Sequence, residues 1–370
     1  MEGLVMERVF GDIYRNKRVF LTGHTGFKGS WLLYWLQQLG AEIMGFSNAV
    51  FPYPNHFELL QLSVQSIMAD IRDENALKKA LQKFQPDIVF HLAAQPIVRY
   101  SYRHPIETFA TNVMGTVHVL EACRNCPSVR AVVNITSDKA YENLETDVAY
   151  KETDRMGGYD VYSASKGCAE LVTSSYRNSF FNLENYRVSH QLLLASARAG
   201  NVIGGGDWAE DRLIPDIVKS STANKQVLIR NPNATRPWQH VLEPLSGYLF
   251  LGQRLLEGKK EYADGWNFGP PRNETMLVTE VLEQMKAVWK NLEYRIEVNH
   301  HQPHEAKLLK LDCTKAARQL AWYPVWDMHT AVEKTASWYS RYYNTGEVVT
   351  ETDLKNYIEE AKNKNIKWTQ

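Results

Sequence analysis

Short apolar runs and longer stretches of helical periodicity alternate through the first two hundred positions of the chain. The runs Arg18–Thr22, Glu42–Phe46, Ser66–Ala69, Asp87–Leu92, Ala131–Thr136 and Leu192–Ala195 are each too short for a buried helix and rich enough in Val, Ile and Phe to predict strands. Between them, Ser30 to Leu39, Glu74 to Phe84, Pro105 to Cys126 and Tyr162 to Phe180 carry apolar residues at helical spacing. Such alternation predicts βαβ units, and strands without a polar face predict a parallel sheet covered on both sides. The fold class expected is α/β, a doubly wound parallel sheet. After residue 200 the pattern breaks into loops marked by Gly204-Gly205-Gly206-Asp207, Asn231-Pro232-Asn233 and Pro270-Pro271. We therefore expect the sheet in residues 1–200, with later segments returning to it, and a smaller α/β lobe in 201–370. The polar tail from Lys355 to Gln370 predicts a solvated helix.

Charge narrows the partners. With 42 basic and 42 acidic residues in 370, the chain has no overall field to draw it to polymeric nucleic acid. No apolar run reaches the roughly 18 residues of a membrane span, and MEGLVMERVFGDIYRNKR has no apolar signal core, so a cytoplasmic location is expected. Four cysteines make no disulfide framework; Cys123 and Cys126, at the end of a predicted helix, are expected as reduced thiols. His300, His301, His304 and Glu305 cluster in a loop-like stretch, and no metal is expected there.

The first strand runs directly into Gly23-His24-Thr25-Gly26-Phe27-Lys28-Gly29 and then a helix. Glycines at Gly23, Gly26 and Gly29 suit a tight turn, close approach of backbone to a pyrophosphate, and packing of helix on strand, as dinucleotide binding in a Rossmann sheet requires. Thr25 and Phe27 belong to the same loop, while His24 and Lys28 are expected on its surface. The second strand ends in Ser47-Asn48 instead of an acid, and no Lys or Arg occurs between Ala41 and Phe57. That favours NAD over NADP, with Ser47 and Asn48 on the ribose hydroxyls and Asp70 on the adenine amine.

Tyr162 and Lys166 lie one helical turn apart, where an ammonium favours the phenolate and makes tyrosine a general base. The fifth strand ends in Ser137-Asp138-Lys139, at the sheet edge where doubly wound folds hold their ligands. Together the glycine loop, Asp70-Ile71-Arg72-Asp73, His91-Leu92-Ala93-Ala94, Asn112 in Thr111-Asn112-Val113-Met114-Gly115-Thr116, the strand-five serine and Tyr162…Lys166 resemble the extended short-chain dehydrogenase/reductase family over nearly the whole chain. The resemblance implies that NAD is held by the glycine loop with Ser47, Asn48, Asp70, Ile71, Leu92, Ala93, Ala94, Asn112, Tyr162 and Lys166. It also implies a nucleotide-sugar in the second lobe.

Lys139 after Asp138, with Arg198 to Trp208 and Arg236 to Val241, is similar to the family's nucleotide-sugar 4,6-dehydratases and implies CDP-glucose as substrate. The alternatives are a dTDP-glucose dehydratase, a UDP-sugar 4-epimerase or a non-catalytic NAD-binding scaffold. By resemblance, Tyr162 takes the C4 hydroxyl proton, Lys139 the C5 proton, and protonated Asp138 donates to the departing C6 hydroxyl. A structural Asp138–Lys139 ion pair is the competing reading. Ser137, Arg198, Asn201, Arg236 and Asn267 are the expected substrate contacts, although Arg198, on an apolar strand, equally suits a buried structural cation. Trp208 and Trp238 are expected to wall the ligand or fill the core. The Pro105 and Tyr162 helices are the surfaces implied to pair in a homodimer or larger homo-oligomer.

Overall fold

The computed structural model describes residues 8–50, 52–229, 232, 234–271, 274–290, 292–296 and 308–370. Asn231, Asn233, His300, His301, His304 and Glu305 lie outside the described residues. Seven strands, β1 (Arg18–Thr22), β2 (Glu42–Ser47), β3 (Gln65–Met68), β4 (Ile88–His91), β5 (Ala131–Ile135), β6 (Leu193–Ala199) and β7 (Gly265–Phe268), form one sheet in the order β7-β6-β5-β4-β1-β2-β3. Every neighbouring pair is parallel. The order reverses between β1 and β4, which opens a crevice at their carboxyl ends.

Alternate strand residues feed two cores, which is why the strand sequences show no polar face. Val19, Leu21, Phe90, Val133 and Ala195 face α1 (Phe27–Gln38) and the helix Leu242–Leu256. Phe20, Phe46, Val89, Val132 and Leu194 face α2 (Glu74–Phe84) and α3 (Gly115–Arg124). Cys123 and Cys126 are free thiols buried in the second of these cores.

Three expectations change. β7 was not expected, because Gly265 and Asn267 interrupt its apolar pattern; it pairs with β6 with Asn267 opposite Arg198. The expected single helix from Pro105 is a short helix Pro105–Phe109, a π-helical turn Ala110–Met114, and α3. The Tyr162 helix is α4 (Val161–Ser179). The tail is not solvated: the terminal helix Thr350–Asn363 buries Leu354, Tyr357, Ile358 and Ala361 at helical spacing. Trp368 then stacks on Phe10 at 5.1 Å, tying the end of the described chain to its beginning. Short strand pairs at 202–203 with 239–240, 235–236 with 276–277, and 227–229 with 294–296 make up the strand content outside the main sheet among the described residues.

Candidate active site

The crevice between β1 and β4 is lined by bare backbone. A Cβ at Gly23, which has φ +74°, would lie 2.7 Å from Ala93 N, and one at Gly29 would lie 2.0 Å from Gly23 O. Side chains at either position would force the loop off the sheet. Gly26 caps α1 with no side-chain hydrogen bond, so the first-turn amides of α1 point toward the crevice. Thr22 Oγ1 accepts from the amides of Leu92 and Ala93, each at 3.1 Å, which ties the two strand ends together. This cradle fits a dinucleotide pyrophosphate.

Several residues expected to touch the cofactor instead build its site. His24 is buried, not at the surface, because Gly45 leaves room for its ring; its Nδ1 pairs with Ser47 Oγ at 3.0 Å and its Nε2 with Ser66 Oγ at 2.7 Å. Burial pulls its pKa down to about 4. Ser47 is thus buried in the loop's support, and Thr25 Oγ1 donates to Ala49 O at 2.6 Å. Asn112 is also buried: its Oδ1 accepts from Gln95 N at 2.8 Å while its Nδ2 donates to Gln95 O at 3.0 Å and Ser165 Oγ at 2.9 Å. It positions α4 instead of reaching a ligand. Ile71 packs its side chain into the second core. Asp70 grips Arg72 through both oxygens, at 3.0 and 2.7 Å, and Asn48 donates to it at 3.5 Å. That pairing neutralises Arg72 beside the end of β2, consistent with a cofactor carrying no 2′-phosphate.

Beyond β5 the chain makes one 3₁₀ turn, Asp138–Ala140, capped by Ser137. Ser137 Oγ donates to Asp138 Oδ1 at 2.9 Å, and the Lys139 amide donates to Asp138 Oδ1 at 2.9 Å and to Ser137 Oγ at 3.2 Å. Asp138 is buried, and burial raises its carboxyl above the usual range despite the opposing charge of Lys139. Lys139 is half-buried and, among the described residues, makes no ion pair with Asp138. The competing structural ion pair is therefore not formed.

α4 approaches this turn closely because a Cβ on Gly167 would lie 2.9 Å from Gly157 O and 3.2 Å from Ala140 O. Its N-cap Asp160 accepts from the Ser163 amide at 2.9 Å. Tyr162 comes within hydrogen-bonding reach of Ser137. Burial pushes the Tyr162 phenol up to about 12, against the pull of Ser137 and Arg212. An ammonium one turn away was expected to favour the phenolate; here desolvation outweighs the lowering by Ser137 and Arg212, and the phenol is the favoured form. Burial also lowers Lys166, to about 8, with the charge of Glu170 opposing the shift.

Two cations missed from the sequence stand here. Lys28 is half-buried and interacts with Asp138, Lys166, Asp207 and Arg212, so it faces the site instead of the loop's outer surface; burial lowers it to about 8. Arg212 Nη1 donates to Asp207 Oδ2 at 2.8 Å and acts electrostatically on Tyr162. Nothing in the local sequence around Arg212 marks it, because the fold brings it to Tyr162 across fifty residues.

Two expected substrate contacts are structural. Arg198 is buried against Glu170, with Nε to Oε1 at 2.9 Å and Nη2 to Oε2 at 2.8 Å, and its Nη1 donates to Tyr141 Oη at 2.6 Å. Asn267 is also buried and accepts from Tyr141 Oη at 2.8 Å while donating to Tyr150 O and Asp312 O at 2.9 and 3.2 Å. Both side chains spend most of their hydrogen bonds inside the fold. Asn201 and Arg236 are half-buried, the latter on the strand pair with Met276. Trp238 is buried in the core, and Trp208 Nε1 donates to Tyr343 Oη at 3.0 Å.

A seven-stranded Rossmann sheet with a glycine cradle at its switch point and a Ser137–Tyr162–Lys166 cluster beside it defines a short-chain dehydrogenase/reductase of the epimerase and dehydratase type. The chain belongs to the GDP-mannose 4,6 dehydratase family, whose model matches residues 20–335. It is 51% identical over 331 residues to the CDP-glucose 4,6-dehydratase of Salmonella typhimurium, covering 89% of this chain and 92% of that protein. Solved structures share the fold: an epimerase from Methanothermobacter thermautotrophicus has a TM-score of 0.75 at 22% identity over 90% of this chain and 94% of its own. A UDP-glucuronic acid 4-epimerase from Bacillus cereus, solved with UDP-glucuronic acid and NAD, has a TM-score of 0.73 at 21% identity, over 88% of this chain and 100% of its own.

Proposed function

We propose that this chain is an NAD-dependent CDP-glucose 4,6-dehydratase, converting CDP-D-glucose to CDP-4-keto-6-deoxy-D-glucose and water. The observation that carries the reading is the Asp138–Lys139 pair beside Ser137 and Tyr162: a buried carboxyl raised above its usual range next to an amine with which it forms no ion pair. An epimerase has to move one proton and one electron pair at a single carbon. An acid and a separate base suit elimination across C5 and C6.

NAD, when bound in the Gly23–Gly29 cradle, supplies two-electron acceptance at C4, its return at C6, and a positive charge in the cleft. Tyr162 takes the C4 hydroxyl proton, with Ser137 hydrogen-bonded to both the phenol and the incoming hydroxyl. Lys166 and Arg212, joined by the charge a bound cofactor would add, would bring the phenol down from its raised value so that it can give up its own proton first. Once C4 is a ketone, the C5 hydrogen is acidic and Lys139 removes it. Asp138, whose neutral form burial favours, donates to the C6 hydroxyl as the C–O bond breaks, so one water leaves. Lys139 then returns the proton to C5. Asn201 and Arg236 bind the substrate diphosphate, the guanidinium gripping it bidentately.

The protein acts as a cytoplasmic homodimer or larger homo-oligomer through the outer faces of the Pro105–Arg124 segment and α4. Ile106, Met114 and Leu171 are all exposed there. Sedimentation showing monomer alone at micromolar concentration would argue against this. The decisive test is mass analysis of CDP-glucose after incubation with the enzyme and NAD, with dTDP- and UDP-glucose in parallel. Loss of one water from CDP-glucose is the expected result; an unchanged mass, or turnover of one of the others alone, would overturn the reading.

A further inference from the structure

Glu170, on α4 one turn past Lys166, is a buried carboxylate to which the chemistry above gives no part. It accepts from four side-chain donors on two neighbouring strands. Thr136 Oγ1, at the end of β5 and next to Ser137, donates to Oε1; Ser196 Oγ of β6 donates to Oε2 at 2.7 Å; and Arg198 of β6 grips both oxygens. Behind Arg198 the network continues to Tyr141, which stacks on Tyr150 at 5.3 Å, and through Asn267 to β7. A buried ion pair is weak evidence for stability, since apolar residues of equal volume often serve as well. Its position here, tying the β5 end and the helix that carry the proposed reacting groups to neighbouring β6, points to geometry.

We propose that the Glu170–Arg198 pair is the positioning device of this active site: it locks the ends of β5 and β6 to α4 so that Tyr162 and Lys166 meet the Ser137–Lys139 turn, and it sets a fixed negative charge behind Lys166. The proposal rests on Ser137, Asp138, Tyr162 and Lys166 being the reacting groups. Lys166 is faced by Glu170 from its own helix, by His91 from β4 and by Lys28 from α1. Glu170 is faced by Arg198 from β6 and interacts with Arg177 further along α4. Burial drives the Glu170 carboxyl up, but Arg198 and the hydroxyl donors hold it below the usual range, so it is charged.

Glu170→Gln keeps the shape and removes the charge. We expect kcat on CDP-glucose to fall about 10- to 100-fold with KM changed less than about twofold, and the alkaline limb of kcat to move to lower pH. Thr136→Val cuts just the tie to the Ser137 turn and should lower kcat about 3- to 10-fold without moving that limb. The double variant Glu170→Leu/Arg198→Leu removes the charges in pair and should recover thermal stability while kcat and the limb stay displaced. Titration of ¹⁵N-labelled lysines by NMR, with Lys166 assigned through Lys166→Met, reads the charge effect without substrate. A wild-type enzyme inert toward CDP-glucose would refute the functional reading and leave this titration to decide on Glu170. An unmoved Lys166 midpoint in Glu170→Gln overturns the proposal. So does wild-type kcat in Thr136→Val, or in the double variant should Glu170→Gln fail to fold.

Discussion

Ser137 Oγ donates to Asp138 Oδ1 at 2.9 Å, so the hydroxyl within reach of the Tyr162 phenol also orients the acid next to it. In the proposed mechanism one turn of chain would thereby serve both ends of the reaction, the proton leaving the C4 hydroxyl and the proton given to the departing C6 hydroxyl. Asp138→Asn removes only the second. Turnover is expected to fall by about 10²–10⁴-fold, while cofactor reduction, followed by absorbance on adding CDP-glucose, persists; loss of that absorbance change would show that Asp138 acts earlier.

Lys139→Met leaves the turn intact, because the hydrogen bonds of residue 139 to Ser137 and Asp138 come from its main-chain amide. C4 oxidation should survive in part. Exchange of the C5 hydrogen with deuterated solvent, read by mass spectrometry, should disappear, and exchange at the wild-type rate would remove Lys139 from the mechanism.

Turnover is expected to decline on the alkaline side. Lys166, lowered by burial to about 8, is an ammonium below that pH and loses its proton as pH rises through it. Asp138, raised by burial, has to be protonated to act, and raising the pH removes that proton as well. Both losses oppose the gain in base as Tyr162 deprotonates, so kcat should pass through a maximum, and a profile with no alkaline limb would contradict these assignments.

Gly29→Ala places a methyl where a Cβ lies 2.0 Å from Gly23 O. The loop or α1 has to shift, at a cost of about 1–3 kcal/mol, and the cradle shifts with it. Thermal melts should show both a lower Tm and a smaller rise on adding NAD. An NAD-induced shift equal to wild type would place the dinucleotide elsewhere.

Acid should destabilise the fold through its buried imidazoles. Burial lowers His56, His91 and His240 from 6.5 to about 3. Each is neutral when folded and takes up a proton when unfolded, so the unfolded state binds more protons between those values and stability falls as pH drops through that range. The slope approaches about 1.4 kcal/mol per pH unit for each histidine. His240 sits edge-on to Trp31 and Trp326 with its Nε2 unpartnered. Denaturant unfolding of His240→Phe between pH 4 and 6 should show a shallower dependence than wild type, and an equal slope would refute its share.

The inner strands were legible because they are buried on both faces and have to be apolar there, as in Val19-Phe20-Leu21 and Ile88-Val89-Phe90, whereas the edge strand β3 is largely exposed. β7 was not legible, since Asn267 is tolerated in it through hydrogen bonds to Tyr141, Tyr150 and Asp312, all distant in the chain. The terminal helix differs from its expectation for a related reason: its polar residues outnumber the apolar stripe, and only the packing of Tyr357 against Trp35 and Trp326 shows which face counts.

Sequence alone determined which residues make up the proposed reacting set. The glycine spacing from Gly23 to Gly29, the Ser137-Asp138-Lys139 run and the helical interval from Tyr162 to Lys166 are local patterns, and local spacing survives folding because the turn and the helix have fixed geometry. Tertiary structure decided what each charge does. Arg198 and Asn267 became scaffold, while Lys28 and Arg212 joined the site. Tyr162 and Asp138 were raised by burial. Burial and long-range pairing set the protonation of an ionisable group, and both depend on residues that come together only when the chain has folded.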